Sequence, residues 1–225
     1  MIALTENLPA LQSPDPVLFK LHALRDCYAD IALFWAQEES GALLGFLDGH
    51  LLLFCPSAVD EELKNFVAFL SPQSVFSTEK TLLELGLSDV ETVFVMAAES
   101  RSGETEPSDE VSSREVYDLL SDKGFDLPDY PSFAVDLCRR INHGTATVFL
   151  KRKKGVAVTF VHGDFAFLNG IASHEKGFGS RAVQSVLCQQ FPRTVFCCCR
   201  AEITKFYEKN GFSLVGQAAY WVKNR

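Results

Sequence analysis

The chain has 225 residues, 47% of them hydrophobic and 22% charged, with a net charge of −8; this is the composition of a soluble globular fold and excludes a low-complexity or collagen-like chain. No apolar run is long enough to span a membrane, since Asp48 and His50 interrupt the longest candidate, and the start M-I-A-L-T-E-N lacks the basic and apolar regions of a signal peptide. Seven cysteines, an odd number with three adjacent, suit a reduced compartment better than a disulfide framework, so a cytoplasmic protein that contacts no membrane is expected.

In chain order, the first half reads as a helix from Asp15 to about Tyr28, then strands near Ile31–Ala36, Ala42–Phe46 and Leu51–Cys55. A helix Asp60–Leu70, a strand Ser74–Ser77, a helix Thr78–Leu85 and a strand Thr92–Met96 follow. Ala98–Ser113 is polar and acidic, carries Gly and Pro, and holds no aromatic residue, which favours a solvated linker or long exposed loop. The expected organisation is therefore an N-terminal domain over 1–97, an acidic linker or loop over 98–112, and a second domain over 113–225.

The second half opens with a short helix at Ser113–Leu120 that Gly124 stops, and a second from Pro131 that Gly144 stops. Strands follow at Thr145–Leu150, Val156–Val161 and Phe165–Ala172. Lys151-Arg152-Lys153-Lys154 reads as a hairpin turn before Gly155; with no interleaved aromatics it gives no reason to expect nucleic acid. After the third strand comes H-E-K-G-F-G, a helix from Phe178 to about Gln190, the strand V-F-C-C-C, an aromatic-rich helix K-F-Y-E-K stopped by Asn210-Gly211, and two closing strands. Successive strand residues face opposite sides, so Cys197, Cys198 and Cys199 cannot converge on one ion, and no metal is expected.

The H-E-K-G-F-G loop meets the requirements of a pyrophosphate cradle. Gly177 and Gly179 let the backbone take unusual dihedrals and come close to a ligand. The helix behind them offers unpaired first-turn amides and the positive end of its dipole. Charge is partitioned in the same sense: residues 1–112 hold 5 Lys/Arg against 19 Asp/Glu, a net of −14, while residues 113–225 hold 16 against 10, a net of +6. The basic half favours an anionic cofactor; two surfaces of opposite sign that help the domains dock explain the partition equally well.

These residues resemble the GNAT superfamily of acyl-CoA-dependent N-acyltransferases. The family loop R/Q-x-x-G-x-G/A is matched by His174–Gly179 at its two small positions, and the family's F/L-Y-x-x-x-G-F segment by Phe206–Phe212. The resemblance covers roughly residues 113–225 and implies an α/β (α+β) fold: a mixed, mostly antiparallel sheet flanked by helices. Leu51–Met96 copies the second half of the GNAT element order, but has P-S-A-V-D-E-E where a phosphate loop belongs. It reads as a degenerate GNAT-like domain in a tandem arrangement, or as an unrelated α+β cap.

By resemblance, the backbone of Asn169, Gly170, Ile171 and Ala172 pairs with the pantetheine arm and acyl carbonyl of acetyl-CoA. The main-chain amides of Lys176, Gly177, Phe178, Gly179 and Ser180 hold the pyrophosphate. Arg200 stands where relatives carry an asparagine that contacts the cofactor or a water, although a salt bridge to Glu202 or to a CoA phosphate explains it equally. Tyr207 stands where a tyrosine protonates the leaving thiolate, the alternative being an aromatic packed against Phe206 and Phe212. His143, Asp136 and Arg139-Arg140 lie on the helix that shapes the acceptor site in relatives, with Asp136 and Arg140 spaced for a structural ion pair; His162 reads as a hairpin residue.

His174 replaces the usual Arg or Gln, the connection into the loop is short, and Glu175 puts a carboxylate where a pyrophosphate belongs, which implies weakened or rearranged binding unless Lys176 offsets it. Two functions follow. One is N-acetyl transfer from acetyl-CoA to a primary amine of a small molecule or peptide, the acidic first half pointing to a cationic acceptor such as a polyamine, aminoglycoside or basic amino acid. The other is a non-catalytic module of the same fold that binds a ligand or protein partner. A homodimer is compatible with either.

Overall fold

The computed structural model describes residues 1–189 and 193–223. The chain divides into two compact units: Met1–Val95 with Cys198–Glu202 and the chain from Val215 on, and Met96–Cys197 with Ile203–Leu214.

In the first unit, Asp15 accepts the amides of Val17 (2.8 Å) and Leu18 (2.9 Å), and Pro16 has no N–H to satisfy, so α1 (Pro16–Tyr28) starts where its cap predicts. β2 (Leu33–Gln37), β3 (Ala42–Leu47) and β4 (His50–Phe54) form an antiparallel meander. α2 (Glu61–Leu70) then crosses to β5 (Ser74–Ser77), which runs parallel to β4 over three residue pairs, His50–Leu52 against Ser74–Phe76. α3 (Glu79–Glu84) and β6 (Glu91–Glu99) follow. Period-two alternation sends Leu44, Leu51 and Leu53 to one face, under Leu63 and Val67 of α2, and Phe34 and Leu43 to the other, under Leu21, Leu24 and Cys27 of α1. An additional strand, β1 (Ile2–Leu4), pairs with β2. Three residues are too few to show alternation, and it is held from outside, by that edge and by the terminal amine on Glu62 at 3.2 Å.

The second unit repeats the scheme. α4 (Ser113–Ser121) and α5 (Tyr130–Asn142) start at the capping side chains of Ser112 and Asp129. Gly124 (φ +76°) and Gly144 (φ +70°) stand just beyond their ends in the left-handed conformation that the sequence anticipates there. β7 (Ala146–Lys151), β8 (Gly155–His162) and β9 (Phe165–Ser173) form the meander, and α6 (Phe178–Leu187) crosses to β10 (Thr194–Cys199), parallel to β9. A 3-10 turn at Ala201–Ile203 leads into α7 (Thr204–Lys209). Val116, Leu120 and Leu137 of α4 and α5 cover the face carrying Leu150, Val156 and Val158, while the buried Phe178 ring stacks on Phe149, whose side chain faces the other way. α6 ends at Leu187, earlier than expected; Gln190 lies outside the described residues.

Two expectations change. The chain after α7 forms one strand, β11 (Ser213–Val222), where two were expected. Gly216 lies in its middle without a positive φ, so no turn divides it. Its end, Ala219–Val222, pairs antiparallel with Ser77–Ser74 of β5 in the first unit. The acidic stretch after β6 is exposed but tethered. Asp109 donates its amide to Leu150 O (2.9 Å), Leu150 N–H donates to Ser108 Oγ (3.0 Å), and Glu106 pairs with Lys151 Nζ (3.2 Å). The open edge of β7 and the basic hairpin supply these partners, so the stretch is a strap along that edge. Among the described residues no helix is long and apolar enough to cross a membrane.

Candidate functional site

β9 is nine residues long, yet β10 is in register only with its first three, Phe165–Phe167 against Thr194–Phe196. Among the described residues the main chain of β9 from Leu168 onward has no strand pairing with β10 on that side. On its other side the register with β8 slips, because Val158 lies opposite Gly170 while Thr159 lies opposite Leu168. Asn169 is the extra residue of a β-bulge, which re-aims the strand and turns Asn169 to solvent. Gly170 is buried beneath Phe125; a methyl at this position would come 3.1 Å from Phe125 Cε1. Ile171 is half-buried, and Ala172 is buried opposite Val156.

The loop after β9 is fastened to the hairpin, because the amides of His174 (2.7 Å) and Glu175 (3.2 Å) both donate to Lys154 O. His174 Nε2 lies 3.3 Å from Leu119 O on α4. Phe178 N–H donates to Glu175 O at 3.1 Å and closes a turn that sets Gly177 at φ +83°, ψ −8°. No side chain caps α6, and among the described residues the amides of Lys176, Gly177, Gly179 and Ser180 make no hydrogen bond. Four free donors at the positive end of a helix dipole are an anion site in the making. The Phe178 amide, counted with them in the sequence, is committed to the turn. The two glycines serve different ends: space around Gly177 is open, whereas a methyl on Gly179 would lie 3.2 Å from Phe206 Cζ.

Glu175 does not point bare into this cradle. Arg181 (2.8 Å) and Lys154 (3.2 Å) bind its carboxylate and hold its pKa below the ordinary carboxylate value. Lys176, the residue expected to offset it, makes no ion pair among the described residues. Sequence reasoning missed Arg181 and Lys154 because only the closed loop and hairpin bring positions 154, 175 and 181 together; the basic run 151–154 was the available hint. Arg181 also faces Glu106 of the strap at 3.6 Å.

Tyr207 is 7% exposed, its ring edge-on to Phe206 (5.1 Å) and Phe212 (5.4 Å). Asn210 closes the end of α7 by donating to Phe206 O (2.7 Å), and it joins α7 to α6 by accepting from Gln184 Nε2 at 3.4 Å. The fold thus brings Gly179, Phe206 and Tyr207 together. Arg200 belongs to the first unit, where the Tyr220 hydroxyl and Glu91, 3.1 Å away, raise its pKa further; its ion pair is with Glu91, not with Glu202. Asp136 accepts Arg140 Nε with both oxygens (2.9 and 3.1 Å), the expected structural pair. His143 caps the end of α5, and His162 closes β8 before the turn. Cys197 and Cys199 are buried, and burial pushes the Cys198 thiol up to about 12. Among the described residues no cluster of His, Cys, Asp and Glu could hold a metal ion.

No family model matches the sequence, and no curated protein matches it. Solved structures do. A GCN5-related N-acetyltransferase from Sphaerobacter thermophilus is similar with a TM-score of 0.58 at 12% identity, over 89% of this chain and 84% of that one. A putative acetyltransferase from Pyrococcus horikoshii is similar with a TM-score of 0.56 at 10% identity, over 98% of this chain and 92% of that one. The chain has the GNAT fold. Such identities speak for the fold alone, and within this GNAT fold the order helix, three-strand meander, helix, parallel strand, helix occurs in both units.

Proposed function

We propose that this protein is an acyl-CoA-dependent N-acyltransferase that moves an acetyl group from acetyl-CoA to a primary amine of a small molecule or peptide, with the reaction in the second unit. One observation carries the reading. The free edge of a bulged β9 leads directly into an uncapped α6 with four unbonded amides. That continuity suits a long ligand with an anionic middle and a reactive end: Lys176, Gly177, Gly179 and Ser180 would hold the pyrophosphate, and the main chain of Asn169–Ala172 the arm and acyl carbonyl. Amine attack on the thioester carbonyl forms the C–N bond and breaks the C–S bond; the nitrogen gives up one proton to solvent and the departing thiolate takes one. Tyr207 is assigned as its donor; a free phenol (about 10) is a weaker acid than a free thiol (about 8.5), so the reading relies on positioning rather than acidity.

The first unit is assigned no acyl-CoA. At the corresponding place Asp60 caps α2, accepting the Leu63 amide at 2.8 Å, and Glu61 and Glu62 fill the first turn. The end of that helix is already satisfied by carboxylates, and an anion would meet repulsion.

A second reading, a non-catalytic module of the same fold, is favoured by the grip of Glu175 on Lys154 and Arg181, which occupies two cations beside the cradle. Isothermal titration with acetyl-CoA and free CoA, alongside thiol release with a panel of amines, separates the two. Binding with amine-dependent thiol release supports the enzyme. Binding with no release from any amine supports the module, and no binding at millimolar ligand removes the acyl-CoA assignment altogether.

A further inference from the structure

A cavity of about 260 Å³ opens between α4, α5, the segment joining them, and the β8–β9 face. Its floor is the bulge itself, Asn169 and Gly170; its walls include the rings of Phe125, Phe133 and Phe160, and its two carboxylates are Asp126 and Asp136. The walls are braced rather than loose. Arg140 lies 4.5 Å over the Phe160 ring while binding both oxygens of Asp136, so one side chain fixes an aromatic wall and neutralises one acid. Phe125 rests close on the strand at Gly170, where a methyl would come 3.1 Å from its Cε1 and push the ring outward. Asp126 is different: it is exposed and has no hydrogen bond or ion pair among the described residues.

We infer that this cavity binds the acceptor, and that the acceptor is a small monoamine carried on an aromatic ring or a compact apolar group. The inference rests on the proposed acyl transfer for the identity of the reacting end and deepens it by naming the substrate class. The volume lies just under the range of pockets that enclose drug-sized ligands, which leaves space for one ring and a short arm. Three aromatic walls reward burial of an apolar body, and the single uncompensated carboxylate matches one ammonium group. A polyamine or aminoglycoside would bring several charges against rings with one acid to meet them, and each unpaired charge is costly to desolvate. The narrower class therefore replaces the polycationic acceptors that the acidic first half suggests. Asp126 lines the same cavity as Asn169 and Gly170, so an amine drawn to Asp126 shares the space with the stretch of main chain that the proposed reaction uses.

The test uses the full chain and phenethylamine as probe. Saturable binding is followed by ligand-observed NMR with and without CoA, so that occupancy is read independently of turnover. Leu127→Trp fills the cavity from its half-buried loop position, and Asp126→Asn removes the exposed charge; unchanged thermal melting of both variants shows that they are folded. Phenethylamine should bind, Leu127→Trp should abolish saturation, and Asp126→Asn should weaken binding about two- to fivefold, the range of one exposed ion pair. Spermidine and lysine should bind more weakly than phenethylamine. Phenethylamine binding while acetyl-CoA fails to bind would uphold the cavity assignment and overturn the acyl-transfer reading. The inference is overturned by absence of phenethylamine binding with and without CoA, by binding that neither variant alters, or by turnover of octanoyl-CoA that Leu127→Trp blocks while phenethylamine stays unbound, which would make the cavity an acyl pocket.

Discussion

Replacing Gly177 by alanine isolates the backbone contribution of the cradle. The residue sits at φ +83°, ψ −8°, and a Cβ there would meet nothing within 4 Å. No steric contact is lost or gained, so the cost is that of holding an L-residue in the left-handed region, about 1–2 kcal/mol. For a chain of this size each kcal/mol moves the melting midpoint by about 2–4 °C, so a fall of about 2–8 °C is expected. If the turn instead relaxes to a negative φ, stability recovers but the four free amides no longer converge, and CoA affinity falls. Gly179→Ala perturbs the same loop in the opposite way. Its methyl would press on Phe206 Cζ at 3.2 Å, an overpacking cost of about 1–3 kcal/mol offset by about 1 kcal/mol of helix propensity. The balance is a loss of about 0–2 kcal/mol, and the variant should shift α7 and slow turnover more than it weakens CoA. Thermal melting with CoA titration of both variants checks this. A Gly177→Ala protein with an unmoved midpoint and unaltered CoA affinity refutes the cradle, because one of the two must suffer if the left-handed turn matters.

Tyr207→Phe keeps the ring between Phe206 and Phe212 and removes one hydroxyl; the chemical step should slow by about 10²–10⁴-fold with CoA affinity unchanged, and lost stability with intact turnover per folded molecule would make Tyr207 a core residue only. Glu175→Gln releases Arg181 and Lys154, so CoA should bind more tightly; a drop in affinity would show that the carboxylate orders the loop. Because its pairing holds the Glu175 pKa below the unfolded value, any stability from this carboxylate is present above the unfolded pKa and lost as pH falls through the folded one. The difference between wild type and Glu175→Gln should therefore shrink under acid, as denaturant melts across pH would report. At pH 8, Cys138, which is exposed, should alkylate readily, while Cys198, with its thiol pushed up to about 12, presents about one thiolate in 10⁴ and should stay unmodified until the protein unfolds; mass spectrometry of the native protein distinguishes them.

What the sequence made legible was local. The helices read from Asp15, Asp60 and Thr78 start at those residues, each a short polar side chain that accepts a first-turn amide; α4, read from Ser113, starts there behind the cap Ser112, and α5, read from Pro131, starts one residue earlier at Tyr130 behind the cap Asp129. The Gly177 turn was readable because positive φ leaves a mark on residue choice. What stayed hidden depends on closure of distant segments. The acidic strap looked solvated because its partners, Leu150, Lys151 and Arg152, lie some 40 positions further along the chain. Glu175 looked unfavourable because Lys154 reaches it only once β8 and β9 are in register. The cavity left no linear signal either: Phe125 over Gly170 pairs an interhelical loop with a strand bulge, and neither position alone departs from ordinary usage.

α2 and α6 hold the same place in the element order of their units, each entering from a strand and leading to its parallel neighbour, yet their N-termini are chemical opposites. α2 begins with Asp60, Glu61 and Glu62, and the amide of Leu63 is already bonded; α6 begins with Gly177, has no side-chain cap, and leaves four amides without acceptors among the described residues. Backbone geometry alone gives both helices the same positive end, so the choice of side chain decides which can take an anion. The partition of charge along the chain, −14 over residues 1–112 and +6 over 113–225, has a local counterpart in these two turns. If α2 were meant to receive a phosphate, Asp60→Ala would improve anion binding there; because the carboxylate instead satisfies the helix, the same change should cost about 1 kcal/mol, the usual loss for an N-cap, and create no CoA site. A second equivalent of CoA bound by Asp60→Ala in a titration would show that the first unit kept the binding frame and lost only its charge.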